Sequence, residues 1–125
     1  GDRDVGFGEK PAIAVVDFQW GYIDSSYPMG GSELIDAAVE NTAGLLKLAR
    51  SKGTPVASCA MAFQDETDMP HWKIPAMYNG DFFHGGKGID LDPRIYDPSI
   101  ISLYTSMPRL YFLLLQYLHT LTSMV

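Results

Sequence analysis

A chain of 125 residues has room for one domain, and its hydrophobic fraction of 46% is ordinary for a globular one. Fifteen acids against nine bases leave a net charge of −6 with no basic stripe. This argues against nucleic acid or an anionic membrane surface as partner and points to a small molecule or a protein. A single cysteine, Cys59, excludes an internal disulfide. With no charged-then-apolar leader, a cytoplasmic setting is the expectation.

Residues 1–10, GDRDVGFGEK, read as a polar lead-in. The run Ala12 to Val16 is apolar and β-branched and predicts a strand buried on both faces at the centre of a parallel sheet. Asp17 then falls at its carboxyl end, where open α/β sheets place ligand crevices. It is either the first functional group of the chain or an acceptor for the turn that follows. That turn, DFQWGY, lacks the Gly-x-Gly-x-x-Gly of a dinucleotide site. Gly21 to Gly31 reads as a loop over the strand's end.

Ser32 is placed to cap a helix that runs to Gly53, with Glu33 and Asp36 at its positive end. Leu34, Ile35, Ala38, Thr42, Leu45, Leu46 and Ala49 recur along it at helical spacing. Gly53-Thr54-Pro55 ends it, and Val56 to Phe63 predicts a second buried strand, completing a parallel strand–helix–strand crossover. Cys59 lies within that strand and reads as a structural thiol, because no base or helix amino terminus stands nearby to lower its pKa.

Gln64 to Pro98 is a long excursion rich in Pro, Gly, Asp and aromatics. Its embedded Trp72, Ile74, Met77, Tyr78, Phe82 and Phe83 predict a packed lid. Asp65, Asp68, His71 and His84 lie there without the close spacing of zinc ligands, so no metal is expected. Ile100 to Thr105 predicts a third strand and Leu110 to Leu121 an apolar helix. From Ser99 onward Arg109 is the only formal charge, so that helix should lack a polar face. Its apolar core, Leu110 to Leu118, is too short to span a bilayer.

Three stretches, GFGEKPAIAVVDFQWGY, ELIDAAVENTAGLLKLARSKGTPV, and HWKIPAM with GIDLDPRIYDP, resemble the isochorismatase-like cysteine hydrolases, most closely the N-carbamoylsarcosine amidohydrolase branch. The resemblance implies a three-layer αβα, Rossmann-like, doubly wound parallel sheet with the order 3-2-1-4-5-6, of which this chain holds the amino-terminal half. Residues 1–99 match well and 100–125 diverge, as in an incomplete, truncated or frame-shifted version of a longer enzyme.

The resemblance also implies hydrolysis of an amide or ureido C–N bond by an Asp, a Lys and a Cys. Asp17 is the Asp, taking the proton of a thiol whose thiolate attacks the carbonyl. Gln19, Trp20, Trp72 and Lys73 are the implied substrate-binding residues, and no cofactor is implied. Threading places Leu103 at the lysine position and puts the cysteine past Val125. Lys73 and Lys87 lie on the lid, poorly placed to replace that lysine. The absence of a fourth strand would leave the AIAVV strand with a bare hydrophobic edge, from which a homo-oligomer is expected. The alternative is a catalytically dead relative that binds a small molecule or pairs with an intact subunit.

Overall fold

The computed structural model describes Gly6 and residues 8–105 and 110–123. Its sheet is formed by β1 (Ile13–Val16), β2 (Val56–Met61) and β3 (Ile101–Thr105), all parallel and in the spatial order β1-β2-β3. Val16 lies opposite Cys59, and Cys59 opposite Leu103. The helices are α1 (Trp20–Ile23), α2 (Glu33–Ser51) and α3 (Leu110–Ser123). The fold is thus α/β, with a three-stranded parallel sheet among the described residues.

The doubly buried strand is β2, in which every residue is buried, and not β1. In β1 only Val15 is buried and Ala14 is exposed, because among the described residues β1 has a neighbour on one side only. The main core gathers Val15, Val39, Leu46, Ala49 and Val56 with Leu91 and Ile95 from the end of the lid and Ile100 just before β3.

α2 carries more apolar surface than this core takes up. Val39, Leu46 and Ala49 are buried, whereas Leu34 is 85% exposed and Leu45 and Leu48 are about half exposed. Ser32 occupies the capping position, but its hydroxyl caps nothing, and the first turn closes through Asp36 N–H donating to the Ser32 carbonyl. The segment after β1 is not wholly a loop, since Trp20–Ile23 forms one helical turn.

α3 packs against β2 and β3. It does present a polar stripe, with Gln116, His119, Thr120 and Ser123 exposed at helical spacing. No helix among the described residues is long and apolar enough to cross a membrane.

The lid is ordered around 3-10 turns at Glu66–Asp68, Pro75–Tyr78 and Lys87–Ile89. Its Met77 and Phe82 pack on Met61 and Phe63 in a second apolar cluster. Its near side is pinned to the end of β2, where Phe63 N–H donates to the Phe82 carbonyl and His84 N–H to the Phe63 carbonyl, at 2.8 and 2.9 Å.

Its far end is tied to α2 through Arg94, whose guanidinium reaches Asp36 at 2.7 Å, Glu40 at 2.8 Å and Asp92 at 2.9 Å. Burial disfavours ionised Asp92, but the hydrogen bonds from the Arg94 side chain and backbone outweigh it and hold the carboxyl below its ordinary range.

Candidate active site

Asp17 extends the β1 ladder by one bond, its N–H donating to the Cys59 carbonyl at 2.9 Å. Its backbone then turns into the left-handed region, φ 61°, the one non-glycine residue to do so among those described. Asp tolerates that region better than most side chains. The turn stops the strand and leaves the carboxylate at its carboxyl end. Oδ1 is buried without a hydrogen-bond partner among the described residues, and burial pushes the carboxyl above its usual range. The turn-acceptor reading of Asp17 therefore has no support from Oδ1.

The next residues are stitched to the returning lid. The Phe18 carbonyl accepts from Asp92 N–H, Gln19 bridges antiparallel to Leu91, and Trp20 N–H donates to the Asp90 carbonyl. Gln19 is fully buried. Its Oε1 accepts from Met61 N–H at 2.7 Å, while Nε2 donates to the Met61 and Gly88 carbonyls at 2.9 and 3.2 Å. The amide thus acts as a short length of strand joining the acid's loop to β2 and the lid. Nothing in the sequence around Gln19 announces these partners.

Gly88 is required there, since a Cβ on it would lie 2.1 Å from the Asp81 carbonyl oxygen. Gly21 is confined in the same way, because a Cβ would meet the Phe82 ring at 2.6 Å.

An open cleft of about 360 Å³ is lined by Val16, Asp17, Phe18, Tyr22, Ile23, Ile35 and Ala38. Tyr22, absent from the sequence-based site, stacks on Phe82 with centroids 4.7 Å apart and donates to Met61 Sδ at 3.9 Å. Burial, with the Asp17 charge adding to it, pushes the Tyr22 phenol upward. A second cleft of about 440 Å³ shares Ile23 and is lined by Trp20, Asp24, Asp36 and Arg94 among others. Lys87 Nζ stands 5.1 Å over the Trp20 ring.

The five sequence-predicted residues therefore do not converge. Asp17 lines the first cleft, Trp20 the second, and Gln19 lies beneath the loop between β2 and the lid. Trp72 and Lys73 belong to neither cleft. Trp72 meets Phe63 edge-on at 6.4 Å, and its Nε1 is buried without a partner among the described residues. Lys73 is exposed.

Cys59 is buried, and burial followed by the Asp17 charge pushes its thiol up to about 11, which suits packing and not nucleophilic attack. Among the described residues no three His, Cys, Asp or Glu side chains come together as metal ligands.

Over 60 residues the chain is 43% identical to the maleamate amidohydrolase of Pseudomonas putida, a match spanning 48% of this chain and 28% of that enzyme. No protein-family model matches the sequence. A cysteine hydrolase from Pseudomonas syringae pv. phaseolicola superposes with a TM-score of 0.63 at 15% identity, covering 78% of this chain and 46% of that one.

An isochorismatase from Pseudomonas putida superposes with a TM-score of 0.56 at 20% identity, covering 86% of this chain and 50% of that one. The chain thus spans about half the length of these solved structures and just over a quarter of the amidohydrolase. Over the span compared, the chain shares its fold with these two solved structures.

Proposed function

We propose that this chain carries the acid-bearing part of an amidohydrolase that cleaves the C–N bond of a small amide or ureide, with maleamate-like and N-carbamoyl compounds as the substrate class. The observation that carries this reading is Asp17: a carboxylate at the end of a parallel strand, set by a left-handed backbone, with Oδ1 buried and unpartnered among the described residues beside an open cleft. A carboxyl in that environment is suited to take a proton and return it.

In the reaction Asp17 takes the proton of a thiol, and the thiolate forms a bond to the carbonyl carbon. The C–N bond breaks, and the nitrogen leaves as ammonia or an amine carrying the proton that Asp17 returns. Water then cleaves the thioester. The chemistry needs a thiol and a cation beside Asp17. Cys59 is a poor thiol for it, and the resemblance puts Leu103 where it expects the cation.

Those two features favour a second reading, a relative that binds the same class of molecule without turning it over. Ammonia release from primary amides and N-carbamoyl amino acids decides between them, with Asp17→Asn alongside and iodoacetamide counting of reactive thiols. Turnover that drops about 100-fold or more in Asp17→Asn supports hydrolysis. Turnover indifferent to that substitution overturns it. Binding without turnover, with Cys59 modified only after unfolding, supports the second reading.

A further inference from the structure

The cleft at Asp17 has apolar walls, Val16, Phe18, Ile23, Ile35 and Ala38, and two polar side chains, Asp17 and Tyr22. The Tyr22 ring is held in place by Phe82, which packs close because residue 21 is glycine. Its hydroxyl is poorly used: among the described residues its partner is the Met61 thioether at 3.9 Å, a weak acceptor that a carbonyl oxygen would readily displace. A fixed ring lining the cleft, whose hydroxyl has only a weak acceptor among the described residues, is the kind of side chain by which a mostly apolar site selects one orientation of its ligand.

We infer that the Tyr22 hydroxyl recognises an uncharged carbonyl oxygen, so that this cleft takes the neutral amide or ureido end of a substrate and leaves any carboxylate of that molecule outside. Asp17 supplies the exclusion, because once ionised it repels a second carboxylate brought against the same apolar walls. Tyr22 supplies the attraction. Burial and the Asp17 charge both keep its phenol protonated, so it remains a donor at the pH where Asp17 is ionised. The inference rests on the amidohydrolase reading and specifies which end of the substrate enters.

The test is an NMR titration of the purified chain at pH 8 with butyramide and, separately, with butyrate, a pair of nearly equal shape. The wild-type chain should bind butyramide about tenfold or more tightly than butyrate. Tyr22→Phe, which keeps the ring, should weaken butyramide about three- to tenfold while leaving butyrate binding and the melting temperature unchanged. Asp17→Asn should bring the two ligands closer together in affinity. A general loosening of the cleft would weaken both ligands alike and so overturn the inference.

Tyr22→Phe binding butyramide like wild type would also overturn it, as would a wild-type chain that takes butyrate equally well or binds neither. The wild-type comparison needs no variant, so a folding defect leaves the inference open to refutation. No turnover enters the readout: ammonia release judges the reaction, and this titration judges Tyr22.

Discussion

At the scale of single residues, Asp17 costs the protein stability as it stands. Its carboxyl is pushed up by burial, so the folded state prefers it protonated, and stability from this group falls as pH rises from its ordinary value through the raised one. Asn keeps the shape, tolerates the left-handed backbone and carries no charge. Asp17→Asn should therefore raise the melting temperature at pH 7 by a few degrees while removing the proton acceptor. Asp17→Ala relieves the same charge but places an ordinary side chain at φ 61°, at a cost of about 1–2 kcal/mol. Thermal unfolding of the two variants separates these effects, and Asn melting below Ala would contradict the account.

At the scale of elements, the loop after β1 is held by the Gln19 amide. Truncating it leaves the Met61 N–H and two carbonyls without their bonds inside the protein. Gln19→Ala should thus cost about 3 kcal/mol in urea unfolding. A loss below about 1 kcal/mol, with ligand binding abolished, would return Gln19 to the substrate contact that the resemblance implies.

The parallel strand–helix–strand unit and the acid at the end of β1 were legible in the sequence because burial runs, helical spacing and the Gly-Thr-Pro break are local signals. The clamp was not legible, since its partners lie 42 and 69 residues away. Nor could spacing alone tell which stripe of α2 would find the core: Leu46 and Ala49 do, while Leu34 and Leu45 face outward. Tyr22 sits in a stretch that reads as loop, and its access to the cleft follows from the α1 turn, which four residues scarcely announce.

At the scale of the whole molecule, two surfaces invite association. β1 has one unpaired edge among the described residues, and Leu34, Ala38, Leu45 and Leu48 are exposed at the spacing of a single helix face. The isolated 125-residue chain should therefore exceed its 13.8 kDa monomer mass in light scattering at about 50 µM, a concentration at which partly unpaired folds associate. The double variant Leu45→Glu, Leu48→Glu should shift it toward monomer, and a wild-type chain that stays monomeric would show that these surfaces are inert.

The Gln19 clamp carries a consequence for the order of events during synthesis. Contacts of long sequence separation form late, because loop closure must precede them. The turn that presents Asp17 cannot be locked until Gly88 has been made, so the nascent β1–α2–β2 unit can settle into shape with its acid still unplaced. Pulse-labelled amide protons would accordingly record α2 as an early event and the segment around Gln19 as one of the last to close.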